Sequence, residues 1–216
     1  MKLIDVSHTI EHGLVTYRGL PAPIICDYLS REASRATYAP GTEFHIGKIE
    51  LVANTGTYLD SPFHRYADGR DLSMLALEEL AHLDTVVVDA TRAGRAIGRE
   101  LFSGRNLQGK AVLVRTDWSR HFRSDAYFEG HPFLTEDAAA FLREGGARLV
   151  GIDSLNIDDT GPRTRPVHSA LLGADIPIVE HLTNLAELPE SGATFFAVPV
   201  KIRGMGTFPV RAFAAV

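Results

Sequence analysis

The chain has 216 residues, 45% of them hydrophobic, with a formal net charge of −5, enough for one domain with a substantial core. No Lys/Arg-rich run forms a basic stripe, which argues against nucleic acid and anionic membrane as partners, and no apolar run approaches the roughly 20 residues needed to span a bilayer. The single cysteine, Cys26, rules out an internal disulfide and suits a reducing compartment; with an opening, MKLIDVSHTI, that lacks a signal-peptide core, the expectation is a cytoplasmic protein.

In chain order, Lys2 to Val6 reads as a short strand, and Val15 to Pro23 as a loop rich in turn residues. Phe44 to Val52 reads as a strand whose mixed alternation leaves its buried face undetermined. Asp71 to His82 carries apolar residues at helical spacing and predicts a short helix. Thr85 to Ala90 and Ala111 to Arg115 are compact apolar strands. Thr135 to Glu144 predicts a helix: Thr135 is a capping residue, acidic residues follow it, and Gly145-Gly146 ends it. Strands are predicted over Ala147 to Asp153, Ile176 to Glu180 (broken early by Pro177), Thr194 to Ile202 and Val210 to Ala214. Helices and strands alternate only in the middle of the chain. The expectation is therefore an α/β domain spanning residues 1–216, with a mixed central β-sheet flanked by helices. No repeat or linker divides it, and no glycine-rich fingerprint follows a strand, so no dinucleotide or phosphate site is expected.

Three segments concentrate chemistry. Asn54 to His64, NTGTYLDSPFH, holds a glycine, a proline, a carboxylate and a histidine within eleven residues; its ordinary reading is a polar turn. Pro166 to Glu180, PVHSALLGADIPIVE, ends on a carboxylate closing an apolar strand, a group that must be solvated, paired or metal-bound. Gly151 to Asp159, GIDSLNIDD, places acids where α/β domains often carry ligand groups, although such loop acids are common in turns.

These segments resemble the cyclase family of hydrolases, which includes kynurenine formamidase and isatin hydrolase. The family pattern His-Thr-Gly-Thr-His-x-Asp-x-Pro-x-His is matched from Asn54 to His64. Its later Pro-x-His and Glu are matched by Pro166-Val167-His168 and, twelve residues on, by Glu180. DVSHTI, VRTDWSRHF, HPFLTEDAA, GIDSLNID and PVKIRGMGTFPVRA extend the likeness over nearly the whole chain. The resemblance implies that Asp60, His168 and Glu180 are metal ligands and that His64 is the acid/base. It also implies a homo-oligomer, dimer or tetramer, with loops crossing the interface.

Two motif histidines are replaced, by Asn54 and Tyr58. An amide oxygen and a neutral phenol are weak ligands, and a phenolate at pH 7 lies several pKa units away. One metal position of the family is therefore expected to be lost. The remaining set of two carboxylates and an imidazole suits zinc or manganese. Without an ion, Asp60 and Glu180 would repel and share a proton. His64 would then serve as general acid/base with Glu180, and Tyr58 would donate to a substrate carbonyl; that chemistry suits isomerisation, lactone opening or dehydration. Asn54 and Trp118 are candidate substrate-binding residues, Trp118 having packing as its alternative. His8 and His45 are placed near the site by the resemblance, and His12, His82 and His121 read as surface residues. The leading reading is a hydrolase or lyase acting on a C–N or C–O bond of a small carbonyl compound (amide, lactam, lactone or ester). A metal-independent acid/base enzyme and a degenerate ligand-binding homologue are the alternatives.

Overall fold

In the computed structural model, which describes residues 1–216, strands follow in the order β1 (Leu3–Asp5), β2 (Ile24–Leu29), β3 (Ile46–Glu50), β4 (Tyr58–Asp60), β5 (Leu83–Asp89), β6 (Ala96–Ile97), β7 (Ala111–Arg115), β8 (Phe133–Leu134), β9 (Leu149–Ile152), β10 (Ile178–Glu180), β11 (Ser191–Phe196), β12 (Thr207–Pro209) and β13 (Phe213–Ala215). The α-helices are α1 (Arg31–Ser34), α2 (Glu136–Glu144) and α3 (Pro166–Leu172). Nine strands form one sheet in the order β1-β13-β11-β5-β7-β9-β10-β4-β12. Its centre, β5-β7-β9-β10, is parallel, and every other pairing is antiparallel. The predicted mixed sheet is thus observed.

The central strands read as continuous apolar runs because both of their faces are covered. Val86, Val88, Val112, Val114, Val150 and Ile152 pack against Ala138, Ala139 and Leu142 of α2 and Val167, Leu171 and Leu172 of α3. The alternate residues Val87, Leu113 and Leu149 join Phe195, Ala214, Leu72, Leu75 and Leu80 in a second core. That second layer is built from strands and loops, so the expected helical flank exists on one face only.

Helix α2 follows its sequence signals. Thr135 caps it by accepting from the Ala138 amide at 3.4 Å, and Gly145 ends it, with Gly146 at φ +71°. The helix predicted for Asp71–His82 does not form; only Leu77–Glu79 makes a 3₁₀ turn. Leu72, Leu75 and Leu80 do reach the core, but Met74 and Leu77 are exposed and the polar groups are engaged elsewhere. Asp71 accepts from the Ser73 amide and hydroxyl and, at 2.7 Å, from the Gly204 amide. The Leu72 amide donates to the Met205 carbonyl at 2.9 Å. These local and long-range bonds displace the i→i−4 ladder. The strand expected over Thr194–Ile202 stops at Phe196, shortly before Pro199, which has no amide to give a ladder. The last strand is displaced to Phe213–Ala215, and β12 and β2 carried no clear periodic signal. No helix is long and apolar enough to cross a membrane.

Candidate active site

The register of β4 with its two neighbours builds the centre of the site. Tyr58 and Asp60 lie two residues apart on one strand and share a face. Glu180 of β10 is directly opposite Tyr58, and Thr207 of β12 is directly opposite Asp60. Side chains opposite one another across an antiparallel pair meet on that face. Accordingly, the Tyr58 hydroxyl donates to Glu180 Oε2 at 2.6 Å, and the Thr207 hydroxyl donates to Asp60 Oδ1.

Two glycines permit this arrangement. Gly56 sits at φ +66°, a region that favours glycine, as the chain turns into β4. Gly206 lies against the chain at His64: a Cβ there would stand 2.4 Å from the His64 amide nitrogen and 2.6 Å from its Cα. No larger residue would let β12 approach so closely.

His64 ends the 3₁₀ turn Pro62–His64 that follows β4. Its Nδ1 is 2.7 Å from Thr207 Oγ1. The Thr207 hydroxyl has one proton and gives it to the Asp60 carboxylate, so it accepts from His64 Nδ1–H. That bond fixes the tautomer and leaves the Nε2 lone pair free. His64, Thr207 and Asp60 thereby form a relay with the logic of a nucleophile-activating triad.

His168 lies on α3, whose first residue is Pro166, a favoured starting position. Its Nδ1 is 2.6 Å from Asp158 Oδ2, and the same carboxylate accepts from the Val167 and His168 amides. Nε2 is thereby aimed at the other two acids, 3.7 Å from both Asp60 Oδ2 and Glu180 Oε1. Asp60 Oδ2 is buried with no hydrogen-bond partner. Burial opposes charge on His168, but Glu180, Asp158 and Asp60 outweigh it and push the imidazole up to about 10. Burial raises the pKa of Glu180, with Asp60 adding to it. Asp60 and Glu180 therefore do not face each other bare: His168 stands between them.

The predicted residues Asn54, Tyr58, His64, His168 and Glu180 all line one cavity of about 230 Å³, together with Tyr17, Leu20, Asn156, Arg65 and Arg165. Asp60 is fully buried and does not line it. Trp118 is elsewhere: its indole donates to the Tyr127 carbonyl at 3.0 Å and its ring lies against His121, which is the packing alternative. Tyr58 donates its one proton to Glu180, not toward the cavity, and burial with Glu180 nearby holds its pKa well above the usual phenol value. His45 is exposed and pairs with Asp27. Asp158 is a candidate acid within GIDSLNIDD, whose ordinary reading is a turn. Asn156 in the same segment and Thr207 within PVKIRGMGTFPVRA carry no individual signal, and Tyr17 falls in a stretch read as a loop.

The group able to hold one divalent ion is Asp60, His64 and His168, whose ligand atoms lie within 4.8 Å of one another, and Glu180 borders it through His168. Tetrahedral bonds of about 2.1 Å put ligand atoms roughly 3.4 Å apart, close to the 3.7 Å separations of His168 Nε2 from the two carboxylates. Asp60 Oδ2 accepts no hydrogen bond and meets only His168 Nε2, at 3.7 Å, so it has room for a direct bond to a cation. The set Asp60, His168 and Glu180 expected from the resemblance shares two of those three residues. A second ion has no such set, because the Tyr58 hydroxyl is committed to Glu180.

Behind the site, His8 stacks on Phe122 with ring centroids 3.7 Å apart. Burial, with Arg123 nearby, lowers its pKa to about 4. The folded chain therefore resists protonation that the unfolded chain accepts near 6.5, and the stability lost as pH falls from 6.5 to 4 reaches about 3 kcal/mol. Urea unfolding at pH 7.5 and pH 4 checks this: the variant His8→Phe should lose less stability than the parent by that order, and an equal loss would refute it.

A mixed sheet with a parallel centre thus carries a buried cluster of carboxylates and imidazoles beside one cavity, the arrangement of an α/β enzyme. Residues 4–159 match the family "Cyclase", described as "Putative cyclase", and the chain belongs to that family. It is 28% identical over 211 residues to kynurenine formamidase of Bacillus cereus, covering 97% of this chain and 95% of that enzyme. Its fold is shared with isatin hydrolase A from Labrenzia aggregata bound to benzyl benzoate, with a TM-score of 0.82 at 23% identity over 99% of this chain and 93% of that one. A predicted metal-dependent hydrolase from Bacillus stearothermophilus superposes with a TM-score of 0.77 at 26% identity, covering 99% and 97% of the two chains.

Proposed function

We propose that the chain is a hydrolase that cleaves an amide bond of a small carbonyl compound, with His64 as the acid/base and Asp60, His168 and Glu180 holding one zinc or manganese ion. The observation that carries this reading is the double use of Asp60. Its Oδ1 closes the relay to His64, and its Oδ2 is left unpartnered toward His168. When bound, such an ion supplies Lewis-acid polarisation of the substrate carbonyl. His64 Nε2 takes a proton from the attacking water, so that a C–O bond forms. The same nitrogen returns the proton to the departing nitrogen as the C–N bond breaks. Tyr58 and the Ile157 amide, which donates at 2.6 Å, keep the Glu180 carboxylate oriented.

The test is elemental analysis combined with turnover of an aryl formamide. The expected result is one divalent ion per chain and activity removed by a chelator, then restored by zinc or manganese. Chelator-insensitive turnover by metal-free protein would replace this reading with a metal-independent acid/base reaction. One observation favours that second reading: His168 Nε2 already stands 3.7 Å from both Asp60 and Glu180, where their charges favour the imidazolium.

The reading includes a homo-oligomer of cytoplasmic location, with the ribbon β2–β3 at its interface. Two-stranded ribbons are marginal alone in water. This one leaves Ile25 and Ile49, opposite each other in register, 40% and 53% exposed. Light scattering should give at least a dimer mass, and Ile25→Asp with Ile49→Asp should lower it. A monomeric parent would remove this part of the reading.

A further inference from the structure

Two arginines on the cavity wall have no role in the chemistry described above. Arg65 directly follows His64, and Arg165 stands three residues before His168, one helical turn away. Both line the cavity with Glu180, His64 and His168. Neither has a carboxylate partner, yet both are held in place. Arg65 donates Nε to Ser169 Oγ at 3.1 Å and stacks over Tyr66, with its guanidinium carbon 5.1 Å from the ring centroid. Tyr66 is itself anchored to the Ser169 carbonyl at 2.9 Å.

Arg165 is fixed through one nitrogen alone. Its Nη1 donates to the carbonyls of Asp159, Pro162 and Thr164 at 3.3, 2.8 and 2.7 Å. The Nε and Nη2 hydrogens of Arg165, and both terminal nitrogens of Arg65, have no protein acceptor. The buried acids below do not need these cations, because His168, Tyr58 and the Ile157 amide already serve them. Two positioned guanidiniums with free donors on one cavity wall offer the charge-assisted hydrogen bonds that a planar anion takes.

We infer that the substrate carries a carboxylate, seated against Arg65 and Arg165 while its scissile carbonyl faces His64 and His168. This assignment of substrate class rests on the hydrolase reading. The two arginines set specificity by recognising a group remote from the bond that breaks. Their contribution is thus expected chiefly in KM, as for binding that is uniform between ground and transition states.

The experiment uses a matched pair of probes, 2-formamidobenzoate and the neutral 2-formamidobenzamide, with the full-length metal-loaded protein, Arg65→Met and Arg165→Met. Far-UV circular dichroism confirms that each variant is folded. The parent should favour the anionic probe in kcat/KM, and each variant should reduce the anionic-to-neutral ratio by roughly tenfold, the worth of one charge-assisted contact. Equal kcat/KM for the two probes in the parent, or an unchanged ratio in both variants, would overturn the inference. Thermal stabilisation by the same probes separates it from the hydrolase reading. If neither probe is cleaved but 2-formamidobenzoate alone stabilises the parent, and fails to stabilise Arg165→Met, the carboxylate seat stands and the hydrolase reading falls. Stabilisation by both probes alike, or by neither, removes the carboxylate seat.

Discussion

Replacing His64 by Gln should lower kcat by roughly 10²- to 10⁴-fold, the usual contribution of a positioned acid/base, with a much smaller change in KM. The imidazole is 35% exposed and borders the cavity, and its Nε2 has no hydrogen-bond partner in the protein. Its other nitrogen is locked through Thr207 to a fully buried carboxylate. Thr207→Val keeps the shape of that residue but removes the link. It should therefore produce an intermediate loss in kcat, because the imidazole remains while its tautomer and orientation are no longer fixed. Steady-state kinetics on an aryl formamide reads both effects. A His64→Gln enzyme within threefold of the parent would remove His64 from the mechanism.

Replacing His168 by Met should destabilise the chelated protein by about 3–5 kcal/mol, the typical cost of removing one partner from a buried ion pair. For a chain of this length that corresponds to a fall in Tm of roughly 10 °C. Asp60, Asp158 and Glu180 are each at most 1% exposed at the side chain. Without the imidazole they have no cation among them, and no water can reach them cheaply. Adding Glu180→Gln removes one of the stranded charges, so the double variant should be less destabilised than the sum of the two single changes. Urea unfolding at pH 7.5 measures the cycle. A loss below 1 kcal/mol for His168→Met, or strict additivity, would mean that His168 is not the counter-charge of this cluster.

Local signals succeeded where a single element could satisfy itself. Helix α2 has its cap, acidic first turn and glycine stop written in consecutive residues, and the structure starts and ends it where they indicate. The runs of β5, β7 and β9 were visible because both of their faces are covered, so hydrophobicity did not depend on register. Asp71–His82 misled because apolar spacing alone does not reveal that Asp71 bonds to Gly204 and Leu72 to Met205, partners more than 130 residues away. Short strands such as β4 and β12 carry too few residues for a period to show.

By itself the sequence determined the family, the mixed α/β architecture and the identity of the polar residues that converge: Asp60, His64, His168 and Glu180 were all readable from their motifs. The tertiary structure alone decided what each of them touches. Thr207 becomes the link between His64 and Asp60 because β12 pairs with β4 in one particular register. Asp158 becomes the orienting partner of His168 because α3 begins over it. Tyr58 spends its proton on Glu180 because those residues stand opposite each other across two strands. Hydrogen bonds depend on distance and direction, and for residues more than a hundred positions apart only the packing of the sheet sets either one.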